Sequence, residues 1–128
     1  MEEALIKRVL PHSIEAEQAV IGAMLMDKEA ILTSSEIISG EDFYQSAYGI
    51  LFETIVELFN EGKPVDLITL QNRLREKDVP AEVSSLEFAR DLLSAVQTSA
   101  NVKYYAEIVS EKAMLRRLIK LNEEIANI

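Results

Sequence analysis

The chain has 128 residues, 22 Asp and Glu against 13 Lys and Arg, and a formal charge of −9, which makes it one domain long and acidic. That balance argues against a general binder of phosphate backbones, which needs clustered Lys and Arg, and the absence of cysteine excludes thiolate metal sites and fits a reducing compartment. Glu2 and Glu3 stand where a signal peptide would be basic, and no apolar run approaches the roughly 20 residues of a membrane span, so the expectation is a cytoplasmic protein with no membrane partner.

In chain order, Ala4, Leu5, Ile6, Val9 and Leu10 suggest a short amphipathic turn that Pro11 separates from the rest, so residues 1–10 are expected to be a mobile tail. Ser13 is placed to cap a helix running to about Met26. Its inner face is Ile14, Val20, Ile21, Met24 and Leu25, and Glu15 and Glu17 lie at the positive end of its dipole. Gly22 in its middle favours a close helix crossing, with an indifferent surface position as the alternative. Asp27 opens a second helix through Ile31 and Leu32 toward Ile37 and Ile38, ended by Ser39-Gly40. Glu41 and Asp42 lack a second catalytic group nearby and are expected to serve as capping acids.

The stretch Tyr48 to Phe59 carries the strongest signal. Tyr48, Leu51, Phe52, Ile55, Val56 and Phe59 fall at i, i+3, i+4, i+7, i+8 and i+11, the stripe of a central, core-facing helix with Ser46 as its cap and Gly62 and Pro64 as its stop. Asp66 caps the next helix, with Leu67, Leu70 and Leu74, which finishes near Lys77. Ser84-Ser85-Leu86-Glu87 has the form of a capping box and opens a helix burying Phe88, Ala89, Leu92, Leu93 and Val96, with Gln97, Thr98 and Ser99 as the polar break after it. No run alternates at period two long enough for a sheet, so the fold class is all-α.

From Ala100 onward nothing breaks a helix. Val102, Tyr105 and Val109 form one apolar row; Met114, Leu118, Leu121, Ile125 and Ile128 form a second, at alternating steps of four and three, like a coiled-coil seam. Two heptads fall short of the three or four that fix a coiled coil, so a seam between helices is the favoured reading and packing on the chain's own head is the alternative. The expected organisation is therefore a compact helical head of about five to six helices over residues 11–98, followed by a long helical arm over 99–128. The missing stop at the end leads us to expect that the arm continues in a longer protein.

Little catalytic chemistry is present. Gly22, Gly40, Gly49 and Gly62 are isolated and none precedes Lys-Ser or Lys-Thr, so no phosphate loop exists. His12 has no second histidine and no cysteine to share a metal, which leaves a loop or capping role. We expect no enzyme activity and no cofactor in this segment. Lys112, Arg116 and Lys120 stack like charges at i, i+4 and i+8, with Arg117 beside them. An acidic partner or nucleic-acid phosphate along that stripe is the sharper reading, and a solvated, screened face is the simpler one.

Taken together, Pro11-His12-Ser13-Ile14-Glu15-Ala16-Glu17-Gln18-Ala19-Val20-Ile21-Gly22-Ala23-Met24-Leu25, Asp42-Phe43-Tyr44, Glu61-Gly62-Lys63-Pro64-Val65-Asp66-Leu67-Ile68-Thr69-Leu70 and Tyr104-Tyr105-Ala106-Glu107-Ile108-Val109 resemble the N-terminal domain of the bacterial replicative DNA helicase, the DnaB family. The resemblance implies a helical head followed by the first half of a helical hairpin, without the family's ATPase domain, to which ATP and Mg would belong. In that family the arms pair between subunits, giving a trimer of dimers that forms a collar on the hexamer, so the resemblance places Met114, Leu118, Leu121 and Ile125 on a self-association arm. It further implies docking of primase through its C-terminal helicase-binding domain, and of helicase loaders, with little direct nucleic-acid binding. A free-standing helical adaptor or dimerisation module without a motor is the alternative. Losing the second half of the hairpin would weaken pairing, toward a monomer at ordinary concentrations.

Overall fold

A computed structural model describes residues 9–94 and 99–127; the expected mobile tail before Val9, the expected burial of Val96, the Gln97-Thr98 break and the seam position Ile128 lie outside the described residues. Every described element is helical. Among the described residues there are six α-helices: α1 (Ile14–Met26), α2 (Lys28–Ser35), α3 (Ser46–Asn60), α4 (Leu67–Glu76), α5 (Leu86–Ser94) and α6 (Val102–Ala126), with a 3₁₀ turn at Gly40–Asp42 between α2 and α3. None of the described helices is long and apolar enough to cross a membrane.

Helix α1 starts where Ser13 Oγ accepts the Ala16 N–H at 3.2 Å. It ends at Asp27, which serves two helices at once. The Asp27 N–H closes on Ala23 O, and its carboxylate accepts the Glu29 N–H at 3.0 Å to open α2. Helix α2 stops at Ser35, short of the expected Ile37 and Ile38. Ser34 Oγ donates to Ala30 O at 2.6 Å, and the Ile37 and Ile38 amides both close on Ser34 O. A run of hydroxyl residues that bond their own backbone favours such an early end.

Helix α3 carries the expected apolar stripe: Tyr48, Leu51, Phe52 and Ile55 are buried, with Val56 and Phe59 half-buried against the same core. It shares the centre of the fold with α1. Helix α1 packs against α2, α3, α5 and α6, and α3 packs against α1, α2, α4 and the 3₁₀ turn. The helix starts differently from the expected Ser46 cap. Gln45 occupies the cap position without a side-chain bond, and Ser46 is the exposed first helical residue. Its end is a Schellman motif: Gly62 adopts φ +76°, its N–H closes on Phe59 O, and the Lys63 N–H closes on Leu58 O.

Asp66 and Thr69 cap α4 reciprocally, at 2.8 and 3.0 Å, and α4 ends at Glu76 beside the expected Lys77. The capping box expected at Ser84 and Glu87 does not form. Ser85 Oγ accepts the Phe88 N–H at 3.1 Å instead, and Ser84 Oγ turns back to Ala81 O. A single-hydroxyl cap one residue later satisfies the first turn, because Ser84 is already committed to the preceding turn.

Helix α6 spans 25 residues, about 37 Å at 1.5 Å per residue. Val102, Ala106, Val109 and Ala113 are buried, and α6 packs against α1 and α2 along this stretch. The first half of α6 is thus packed against the helices that precede it. Ser99 Oγ donates to Asp27 Oδ2 at 3.4 Å, tying the entry of α6 to the α1–α2 junction.

Candidate interaction surfaces

The sequence places Glu17 at the start of α1, near the positive end of the helix dipole. In the structure Glu17 is buried, at 1% exposure, because it faces the chain entering α3. Its carboxylate accepts the Tyr44 N–H at 2.7 Å and the Gln45 N–H at 3.2 Å. Two amides that the 3₁₀ turn leaves unpaired thus find a carboxylate acceptor from another helix, and Gln45, one of the two donors, takes the cap position of α3 ahead of Ser46.

Tyr44 is then fixed by its ring. His12 stacks on it with centroids 4.0 Å apart and planes within 6°, while His12 Nδ1 lies 2.7 Å from Leu10 O. The Arg116 guanidinium lies 5.6 Å from the same ring's centroid and donates to Pro11 O at 2.8 Å and to Asp42 O at 2.7 Å. Arg117 donates to Asp42 Oδ1 at 3.0 Å, and Asp42 Oδ2 accepts the Ser39 N–H at 2.9 Å. The residues that carry the family resemblance at Pro11-His12 and Asp42-Phe43-Tyr44 thus form a latch around the middle of α6. No short-range periodicity signals it, because its partners are 74 and 105 residues apart in the chain.

This geometry divides the basic stripe. Arg116 and Arg117 are engaged by the head, which offsets the like-charge repulsion that their spacing with Lys112 and Lys120 creates. A cleft of about 260 Å³ opens beside the latch, lined by Leu10, Glu41, Ala113, Ile119, Lys120 and Glu123 together with the two arginines.

The apolar row lies elsewhere on α6, and its described members stand more than half in solvent. Met114 is 56% exposed, Leu118 51%, Leu121 52% and Ile125 63%. Leu115, which the four-three spacing passes over, adds to it at 39%. From Leu121 to Asn127 every residue is exposed.

A second charged cluster clips α4 to α3. Arg73 donates to Glu57 at 2.6 Å and to Glu61 at 2.7 and 3.1 Å, and Lys77 reaches Glu57 at 3.1 Å. The hydrogen bond from Arg73 holds the Glu61 carboxyl down from the ordinary 4.5 to about 2 and lowers Glu57 for the same leading reason. The same pairing raises Arg73. The cluster is a structural clip. It offers no nucleophile with a base, and among the described residues no group of His, Asp and Glu is placed to hold a metal ion.

Residues 9–111 match the family described as DnaB-like helicase N terminal domain. Over 126 residues the chain is 43% identical to the replicative DNA helicase DnaB of Geobacillus stearothermophilus and 39% identical to the replicative DNA helicase DnaC of Bacillus subtilis. Each alignment covers 98% of this chain and 28% of the relative, so the chain spans little more than a quarter of their length. The N-terminal domain of DnaB helicase from Mycobacterium tuberculosis superposes with a TM-score of 0.89 at 34% identity, covering 93% of this chain and 86% of that one. The N-terminal domain of DnaB helicase from Helicobacter pylori, described together with its interactions with primase, shares the fold at a TM-score of 0.76 and 20% identity, covering 88% of each chain. With a family match over most of its length and a superposable relative of nearly its own size, the chain belongs to the DnaB-like helicase N-terminal domain family.

Proposed function

We propose that this chain is the scaffold and docking domain of a replicative DNA helicase: it supports assembly of the helicase ring through the distal half of α6 and receives primase or a helicase loader, with no catalysis of its own. The exposed row Met114, Leu118, Leu121 and Ile125 is the observation that carries the reading. Side chains of this size are left half in water on one stripe of a helix whose other stripe is already used by the core, the pattern of a surface that a partner covers. The occupant is a second copy of the same arm, in keeping with pairwise assembly into a trimer of dimers. ATP and Mg belong to the motor of the parent helicase, which works in the cytoplasm. Of the basic stripe, Lys112 and Lys120 remain for an acidic partner, since the head already engages Arg116 and Arg117.

Docking of primase suits the acidic, wholly helical surface better than a grip on DNA does. The test is sedimentation of the chain with the C-terminal helicase-binding domain of a cognate primase, with and without Lys112→Glu and Lys120→Glu. A complex with the unsubstituted chain supports the docking role, and weaker binding by the charge-reversed chain places Lys112 and Lys120 at the contact. A folded chain that binds no primase domain favours the second reading, a free-standing dimerisation module that shares the fold.

A further inference from the structure

Helix α6 changes character at Ala113. Up to that residue the core holds it; from Leu121 to Asn127 every residue is exposed. A helical stretch this short is marginal in water without partners. Between the two regimes, Arg116 and Arg117 reach back to Pro11 O, Asp42 O and Asp42 Oδ1. Those bonds need residues 116 and 117 to be helical, since unwinding the backbone there carries both guanidinium groups away from acceptors that are fixed on the head.

We propose that helical order in the distal part of α6 and order of the head surface built from residues 10–13 and 40–45 are linked through Arg116 and Arg117. Covering the exposed row of the arm then also tightens that surface. Linkage is reciprocal, so a partner that fixes the 40–45 turn also favours a helical arm. The agent that covers the row is a second copy of the arm, which rests on the self-association reading above.

Asp42 is the node. Its side chain joins Ser39 and Arg117, its carbonyl accepts Arg116, and the 3₁₀ turn is braced on its far side where the Gly40 N–H donates to Glu53 Oε2 at 2.6 Å. Releasing α6 frees only one side of the turn, so the expected response is local loosening of residues 42–45 with the core intact.

The experiment is residue-resolved amide exchange on the full chain and three variants, Asn122→Pro, Arg116→Ala and the double substitution, at a dilution where sedimentation shows a monomer. Asn122 is exposed and outside the latch, and proline there removes a helical hydrogen bond and clashes with the preceding turn. Asn122→Pro is expected to speed exchange at Asp42, Phe43, Tyr44 and Gln45 by roughly fivefold or more relative to α4 amides. Arg116→Ala should do the same, and should also lower the helical circular dichroism and speed exchange over residues 118–124. The double variant should exchange at the turn faster than Arg116→Ala alone only by what releasing Arg117 from Asp42 Oδ1 adds, and by less than the sum of the two separate effects. The proposal is overturned if Asn122→Pro lowers helical circular dichroism while the turn exchanges as before, if the effects of the two substitutions add in full, or if Arg116→Ala leaves the distal amides unchanged. Repeating the measurement at rising concentration separates this from the self-association reading. Linkage in a chain that never associates sinks only the latter; association without any response at residues 42–45 sinks only the former.

Discussion

Gly49 shows how a single position constrains the fold. A Cβ built there meets Gly40 O at 2.5 Å, and one built on Gly40 meets the Glu53 side chain at 2.5 Å and Gly49 O at 2.9 Å. Alanine at 49 should gain up to about 1 kcal/mol in helix propensity and lose more, about 1–3 kcal/mol, by pushing backbone against backbone. Chemical denaturation of Gly49→Ala is expected to show net destabilisation; a more stable variant would mean that the 3₁₀ turn moves freely. Glu17→Gln tests the buried carboxylate. Substituting an amide leaves one acceptor for two N–H groups, with an expected loss of about 1–3 kcal/mol in the same assay and faster exchange at Tyr44 and Gln45. Neither role is readable from the chain, since Gly40 meets Gly49 only across the turn between two helical elements and Glu17 meets Tyr44 across 27 residues, and no spacing rule connects either pair. The sequence alone leaves all four glycines isolated and assigns Glu17 to a helix dipole.

Helices are legible wherever one apolar stripe and one cap agree. Ser13, Asp27 and Asp66 all cap where their spacing places them, and the α3 stripe is buried as its period requires. Boundaries shift where two polar residues compete: Ser85 takes the cap from Ser84, and the Ser34 hydroxyl bonds back to Ala30 where α2 ends. The inner half of α6 is harder to read, because two of its four buried residues, Ala106 and Ala113, are alanines that hydrophobic patterning passes over. The α3–α4 clip also escapes the sequence, although its chemistry makes a prediction. The folded-state values of Glu61 and Glu57 lie below their ordinary ones, so the clip's contribution is fully present above pH 4.5 and is lost as pH falls from 4.5 toward 2. Thermal unfolding followed from pH 6 to pH 2 should show Arg73→Met less steeply destabilised by acid than the unsubstituted chain, and parallel curves would show that the clip contributes nothing to folding.

At the scale of the whole molecule, one continuous helix serves two tasks. Its inner half closes the core through Val102, Ala106, Val109 and Ala113, and its outer half presents Met114, Leu118, Leu121 and Ile125 to solvent, with Arg116 and Arg117, at the start of that outer half, tied to the head. Because the two apolar rows do not share residues, the outer one can be made polar without touching the core. The most direct test is sedimentation over a wide concentration range, paired with thermal unfolding, for the chain and for Leu118→Asp with Leu121→Asp. The account predicts that the unsubstituted chain self-associates as concentration rises, while the double variant stays monomeric and unfolds at nearly the same temperature. A double variant that associates as readily, or whose head unfolds, would contradict it.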